Sequence, residues 1–251
     1  MRIAIFSDIH GNCLALETVL ADIKQANIDK LVCLGDAIQG GPQPAETIAL
    51  LRDLACPTVM GNSDDWLLTG KTIESMTPLQ TQIRDWTLSK LSETDREFIA
   101  QFSPIIEMEV SKNKRLLCFH GSPRSYDDNI LPTTSDPELQ ELLGDDLSFV
   151  YTGGHVHSQV LRRIGDTFYF RPGSVGRVYD RNRIHDKKRM KLGFQLDPWA
   201  EYSILSVTEN QFSVEFRQVP VNIEKISNIW AKTGRPDVEN ESNLYQRKRL
   251  V

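Results

Sequence analysis

The 251-residue sequence lacks the features of several classes of protein. Its four cysteines are scattered and form no CxxC pair, which argues against a disulfide framework or a zinc finger. No apolar run approaches ~18 residues, so we expect no membrane span. No apolar leader precedes the first predicted strand at Arg2, so we expect a cytoplasmic protein.

An excess of basic residues is missing as well. The formal net charge is −5, whereas proteins that bind the nucleic-acid backbone usually present a basic face. We therefore expect no extended nucleic-acid partner. The charge does not exclude a small phosphorylated substrate, for example a nucleotide, held at a local positive site. The oligomeric state cannot be deduced from the sequence.

Five short apolar runs each lead to a side chain that can bind a metal ion. Their length between turn signals predicts buried strands, and they lie at 3–6, 31–34, 58–60, 116–119 and 149–152. The polar residues that follow them are Asp8, His10, Asp36, Asn62, His120, His155 and His157. Ligands of open α/β sheets gather beyond the carboxyl ends of the strands, and these donors suit first-row divalent metals. The pattern predicts a two-metal enzyme.

The first sixty residues alternate between strands and helices, which predicts a β-α-β-α-β order. We expect one helix after Asn12, a second beginning at Pro42 or Pro44, and amphipathic helices across 66–102 with a start at Ser92. Later strands are predicted at 105–110, 115–119, 160–164, 167–170, 203–207 and 213–218. The basic run 177–191 is predicted to be a solvated loop. We expect a single domain over 1–235 and a flexible tail over 236–251.

Taken in order, the polar motifs resemble those of the calcineurin-like metallophosphoesterase superfamily. They are most similar to its compact phosphodiesterase branch in bacteria and archaea. The motifs are Asp8-x-His10, Gly35-Asp36, Gly61-Asn62-x-Asp64, His120-Gly121, Gly154-His155-x-His157 and Pro172-Gly173-Ser174-Val175-Gly176. The resemblance implies an α/β sandwich of two mixed β-sheets flanked by helices.

The resemblance also implies which residues hold two divalent ions. One ion would be bound by Asp8, His10, Asp36 and His157, and the other by Asp36, Asn62, His120 and His155. Asp36 would bridge the two. Mixed nitrogen and oxygen ligands admit manganese, iron, zinc, nickel or cobalt, so the metal stays open.

Further residues receive roles in catalysis or substrate binding. We assign catalytic roles to Asp36, Asn62 and Asp64. Substrate-binding roles are assigned to Asn12, Ser63, Arg124 and Arg171. The alternative for Asn12 is a helix N-cap, and the alternative for both arginines is an ordinary surface position.

Ser63 marks a departure from the family pattern. Many members carry histidine after the metal-binding asparagine, where it stabilises developing charge or protonates the leaving oxygen. A general acid is worth ~10²–10⁴ in rate, so its absence disfavours substrates with poor leaving groups.

We therefore expect a metal-dependent phosphoric ester hydrolase that acts as a phosphodiesterase, with metal-activated hydroxide attacking phosphorus in line. The enzymatic alternative is hydrolysis of dinucleoside polyphosphates, with Arg124 and Arg171 binding the additional phosphates. A non-catalytic scaffold of the same fold is the alternative from another class. Because all seven ligand positions are filled, the sequence favours an enzyme.

Overall fold

The computed structural model describes residues 1–71, 76–145, 148–179 and 196–245. The strands are β1 (Arg2–Phe6), β2 (Lys30–Cys33), β3 (Ile106–Ser111), β4 (Lys114–Cys118), β5 (Val150–Thr152), β6 (Gln159–Ile164), β7 (Thr167–Pro172), β8 (Trp199–Val207) and β9 (Phe212–Pro220). The helices are α1 (Cys13–Ile23), α2 (Pro44–Leu54), α3 (Asn62–Thr69), α4 (Pro78–Ser89), α5 (Glu93–Ile99), α6 (Asp136–Leu143), α7 (Ile223–Trp230) and α8 (Val238–Leu244).

The strands form two mixed sheets, as the sequence predicts. The first has the order β2-β1-β8-β9, with β1 and β2 parallel and the other pairs antiparallel. The second has the order β3-β4-β5-β7-β6, in which β4, β5 and β7 are parallel. The carboxyl ends of the parallel strands carry the predicted metal ligands.

The alternation of side chains along β1 separates two layers of the core. Ile3 and Ile5 pack against the second sheet, in a cluster that includes Leu116 and Val150. The intervening residues face α1 and α2 instead, because successive side chains of a strand point to opposite faces. The outer face of the second sheet is covered by α6, through Leu139 and Leu143. The result is the predicted sandwich with helices outside.

Local signals explain several helix boundaries. Helix α2 begins at Pro44, one of the two predicted starts. Ser92 and Asp95 form a reciprocal capping box at the start of α5, also as predicted. Helix α6 was not predicted, although Ser135 before Asp136-Pro137 is a recognisable start signal.

Three predictions differ from the structure or lie outside it. The run 58–60 makes only isolated bridges, Cys33 with Thr58 and Val59 with Ser103, and is not a full strand. Helix α8 and buried Tyr245 account for eight of the 16 residues of the predicted tail 236–251, and they pack on the loops around the site. Residues 246–251 lie outside the described part. Within the predicted basic loop, Arg177 forms an ion pair with Glu241, and residues 180–195 lie outside the described part.

The single-domain division stays a prediction. Among the described residues, no helix combines the length and apolar character needed to cross a membrane.

Candidate metal centre

Two clusters of side chains that could each hold a metal ion lie beside each other at the carboxyl ends of the strands. One consists of Asp8, His10 and His157, and the other of Asp36, His120 and His155. Within each cluster the potential ligand atoms lie within 4.8 Å of one another. The structure therefore brings together six of the seven predicted ligands as two groups.

Asp36 belongs to the second cluster and also approaches the first. Its Oδ1 is 3.4 Å from Nε2 of His120, and its Oδ2 is 3.8 Å from Nε2 of His10. The seventh predicted ligand, Asn62, places Oδ1 3.1 Å from Nε2 of His120 and 3.1 Å from Nδ1 of His155. One carboxylate thus reaches both halves of the centre.

Three of the histidines are held through Nδ1 by backbone carbonyl groups. The acceptors are Gln39 O for His10, Leu34 O for His120 and Arg177 O for His157, each at 2.7 Å. Because a carbonyl oxygen only accepts, Nδ1 carries a proton in all three rings. Whenever such a ring is neutral, its lone pair is therefore at Nε2. This fixed tautomer is typical of metal-binding histidines.

The fixed tautomers bring electron-rich atoms of three side chains close together, where a cation would stabilise them. Nε2 of His10 and Nε2 of His157 are 3.1 Å apart, and neither neutral ring has a proton to donate there. Oδ1 of Asp8 is buried without a hydrogen-bond partner, although Nε2 of His157 is 3.2 Å away. The two Nε2 atoms and the unpartnered carboxylate oxygen of Asp8 converge on one point, which fits a bound cation.

Burial and the carboxylates set the ionisation of the centre. Burial lowers the pKa of His10 to about 4 and keeps the imidazole neutral. Burial also opposes protonation of His120, but the adjacent Asp36 carboxylate outweighs it and raises that pKa to about 10. Asp36 thus attracts positive charge to its immediate surroundings.

The backbone carrying these ligands is strained. Seven of the described residues other than glycine have a positive φ angle, and four of these are predicted ligands: Asp8 (55°), His10 (49°), Asp36 (50°) and His155 (66°). Residues other than glycine rarely adopt this left-handed region of φ, and strained residues cluster at functional sites. The strain is a signal of function independent of the side-chain chemistry.

Two glycines make room for the carboxylates. A Cβ atom on Gly61 would lie 2.1 Å from Oδ1 of Asp36. A Cβ atom on Gly154 would lie 2.2 Å from Oγ of Ser7 and 3.1 Å from Oδ2 of Asp8. The motif glycines therefore allow neighbouring backbone to approach the ligands.

Ser63 and Asp64 both hold the Asp36 loop. Ser63 donates from its backbone N–H to Oδ1 of Asp36 and from its hydroxyl to Oδ2, each at 2.8 Å. Asp64 is fully buried and accepts from the backbone N–H groups of Ala37 and Ile38 at 3.0–3.2 Å. Burial and the nearby Asp36 raise the pKa of Asp64 to about 7. These contacts hold the loop that carries Asp36. The substrate-binding role predicted for Ser63 and the catalytic role predicted for Asp64 stay predictions.

Asn12 is the N-cap of α1. Its Oδ1 accepts from Ala15 N–H, and its Nδ2 lies within donating distance of Gly176 O and the Tyr245 hydroxyl. The helix N-cap, which was the alternative prediction for Asn12, is therefore the position observed. Its side chain is buried and engaged with protein atoms, so the structure does not support the substrate-binding role.

The two arginines are engaged away from the ligand atoms. Arg171 is completely buried and donates to Ser158 O at 2.7 Å, to Ile130 O at 2.6 Å and to the Ser158 hydroxyl. It joins two loops of the second sheet and is neither a surface residue nor open to substrate. Arg124 is exposed and donates to the carbonyl of Glu141 in α6.

Sequence reasoning missed a group of residues around His157. Arg177 supplies the carbonyl that fixes the ring, and Tyr179 stacks on it with ring centroids 5.1 Å apart. Both follow the Pro172-Gly173-Ser174-Val175-Gly176 motif directly, and this proximity was the available signal.

Comparison with known proteins shows which family this chain matches. A sequence model of the calcineurin-like phosphoesterase superfamily domain matches residues 1–187. The uncharacterized protein MJ0912 of Methanocaldococcus jannaschii is 27% identical over 237 residues, which cover 94% of each chain. Phosphodiesterase YfcE of Escherichia coli is 28% identical over 188 residues, which cover 70% of this chain and 79% of YfcE.

A solved structure supports the fold. The metallophosphoesterase from Sphaerobacter thermophilus superimposes with a TM-score of 0.74 at 23% identity, covering 97% of this chain and 98% of that one.

Proposed function

The chain belongs to the calcineurin-like phosphoesterase superfamily and is a metal-dependent phosphoester hydrolase, and from that premise we propose that it is a dinuclear phosphodiesterase. The observation that carries the proposal is the pair of adjacent clusters, with Asp36 of one cluster 3.8 Å from Nε2 of His10 in the other. Its similarity to YfcE, a named phosphodiesterase, supports the substrate class.

We assign each ion a set of four ligands. One ion is bound by Asp8, His10, Asp36 and His157, and the other by Asp36, Asn62, His120 and His155. The orphaned Oδ1 of Asp8 and the opposed Nε2 atoms of His10 and His157 fit this assignment. When bound, two such ions polarise phosphoryl oxygens and lower the pKa of coordinated water.

The protein's own residues hold the centre in place for the anionic substrate. Two divalent cations against the carboxylates of Asp8 and Asp36 leave a net positive charge, which attracts a phosphoryl group. Ser63 fixes both oxygens of Asp36, so the shared ligand cannot rotate without breaking two hydrogen bonds. Preorganisation of this kind stabilises charge as it develops in the transition state.

The environment of Ser63 favours substrates with acidic leaving groups. Its hydroxyl is committed to Asp36, so it is not placed to protonate a leaving oxygen. Activated diesters need this help least. The dinucleoside polyphosphate alternative relies on Arg124 and Arg171. Arg171 is buried and donates to Ser158 O and Ile130 O, which favours the phosphodiesterase proposal, whereas Arg124 is exposed.

The test is hydrolysis by metal-stripped protein supplied in turn with manganese, zinc, iron, nickel or cobalt. We expect bis(p-nitrophenyl) phosphate to be preferred over p-nitrophenyl phosphate and diadenosine tetraphosphate. Asp36→Asn should lose both activity and bound metal, whereas the same exchange at exposed Asp53 on α2 should change neither. A preference for another probe, or full activity in Asp36→Asn, would contradict the proposal.

The cytoplasmic location and the small phosphorylated substrate, including a nucleotide, belong to the same proposal. Solution measurements of mass will decide the oligomeric state.

A further inference from the structure

The segment from Arg235 to Tyr245 packs against the loops that orient one half of the centre. We propose that this C-terminal segment is a positioning element for the Asp8, His10 and His157 site, and that the other site forms without it. The inference rests on the proposed function, because it presumes that these three residues bind a metal ion.

The two histidines of this half depend on backbone loops rather than on strands. Gln39 O holds the ring of His10, and Arg177 O holds the ring of His157. Both carbonyl groups lie outside the named strands, in the loop before α2 and the loop after β7. Any shift of either loop would therefore move a ligand nitrogen.

The side chain of Arg177 ties these two loops to α8. It donates to Gly40 O at 3.3 Å, next to the carbonyl that holds His10. It also donates to the two carboxylate oxygens of Glu241 on α8, at 2.8 and 3.3 Å. Both side chains of this ion pair are less than one-fifth exposed, so solvent screens it weakly.

Two further contacts fix the segment on the same loops. The Tyr245 hydroxyl lies 3.4 Å from Gly176 O and 3.4 Å from Nδ2 of Asn12. Arg235 donates to Gly41 O at 3.1 Å and pairs with Asp237. The Arg235 guanidinium also lies over the rings of Trp86 and Trp230, at 5.9 and 4.9 Å from their centroids. The segment is therefore anchored at three points around this site.

The other half of the centre is held differently. His120 is fixed by Leu34 O directly after β2, and Asp36 is fixed by Ser63 at the start of α3. Nδ1 of His155 lies 3.1 Å from Oδ1 of Asn62, which is the first residue of α3. Within the described residues, no hydrogen bond joins these partners to the segment 235–245.

Glu241 also balances charge beside the site. The Arg177 guanidinium lies beside this half of the centre, because its Nη1 donates to Gly40 O, one residue after the carbonyl that holds His10. Without Glu241, an unpaired guanidinium would repel a divalent cation at this half of the centre. Loss of position and loss of charge balance both weaken binding, and outer hydrogen-bond partners typically contribute ~10–100-fold to metal affinity.

The experiment measures manganese binding by the full chain. Metal-stripped wild-type protein, Glu241→Gln, Tyr245→Phe and Glu224→Gln are titrated with manganese, and the bound ions are counted by elemental analysis. Glu224 is an exposed residue of α7 and serves as the matched control. Electron paramagnetic resonance adds a readout independent of activity, because two coupled manganese ions and one isolated ion give different spectra.

We expect wild type and Glu224→Gln to bind two ions with a coupled spectrum. Glu241→Gln should keep one site and bind the second ion ~10–100-fold more weakly, with a single-ion spectrum at low manganese. Affinity for both ions unchanged from wild type in Glu241→Gln would overturn the inference while leaving the proposed function intact. Failure of wild type to bind two ions would instead refute the proposed function.

Tyr245→Phe covers the case in which Glu241→Gln does not fold. It removes one hydroxyl group and leaves the ring in its buried site. Selective weakening of one ion would support the inference by the same criterion, and unchanged affinity for both would refute it.

Discussion

Replacing Gly61 by alanine should disable both halves of the centre at once. A Cβ atom at this position would lie 2.1 Å from Oδ1 of Asp36 and 2.2 Å from its backbone nitrogen. Ordinary contact begins at 3.4 Å, so the carboxylate and the added methyl group must separate by ~1.3 Å. Because the Asp36 carboxylate reaches both His10 and His120, its displacement would disturb both halves of the centre.

The magnitude follows from the contacts that would be lost. Overpacking of a well-packed site costs about 1–3 kcal/mol of stability. Displacement of ~1 Å at a reacting centre can lower the rate ~10²-fold. Each Ser63 hydrogen bond to the carboxylate contributes about 1.5–3 kcal/mol, so a broken pair also loosens the shared ligand. We expect fewer than two bound ions and at least ~10²-fold lower kcat/KM.

The assay combines metal content, unfolding in urea and hydrolysis of bis(p-nitrophenyl) phosphate. Gly165→Ala is the control, because a Cβ atom on Gly165 would meet nothing within 4 Å. Gly165 has a positive φ of 57°, whereas Gly61 has a φ of −93°, so the control carries backbone strain without a steric clash. This control should lose about 1–2 kcal/mol of stability and keep metal and activity. If Gly61→Ala retained two ions and the wild-type rate, the role assigned to Asp36 would be wrong.

Two further substitutions separate structural from catalytic roles. Arg171→Met removes the donors to Ser158 O and Ile130 O, so unfolding in urea should show a loss of about 2–5 kcal/mol, whereas KM should change little. A KM raised more than ~10-fold at unchanged stability would restore the substrate-binding role. Asp64→Asn leaves one acceptor oxygen for the amides of Ala37 and Ile38, so we expect a stability loss of about 1–3 kcal/mol together with a lower kcat. Lost activity at full stability would instead indicate that Asp64 acts in catalysis directly.

Much of the fold and the positions of the candidate ligands could be predicted from the sequence, because both depend on local patterns. Asp8 and His120 each follow a buried apolar strand, and the ends of parallel strands meet at one edge of a sheet. The resemblance then separated the candidate ligands into two sets. The assignment to two bound ions stays a prediction that the experiments above test.

The contacts of Arg171 and of the C-terminal segment were harder to predict, because their partners are distant in sequence. An arginine in the sequence suggests an exposed side chain that binds phosphate. Arg171 is instead buried and donates to Ile130 O, 41 residues away. The pairing of Arg177 with Glu241 spans 64 residues. Helix α8 carries mostly polar residues, so no apolar periodicity marked it in the predicted tail.

The order of strands in the first sheet has a consequence for synthesis on the ribosome. Strand β1 pairs with β8, so Arg2 and Ser206 become neighbours although 204 residues separate them. Until β8 has emerged, the apolar strand β1 presents an unpaired edge, which is open to pairing with other chains. The ligands up to His157 are all synthesised before that edge is covered. The sheet that carries Asp8 and Asp36 is therefore completed only after all seven candidate ligands have been synthesised.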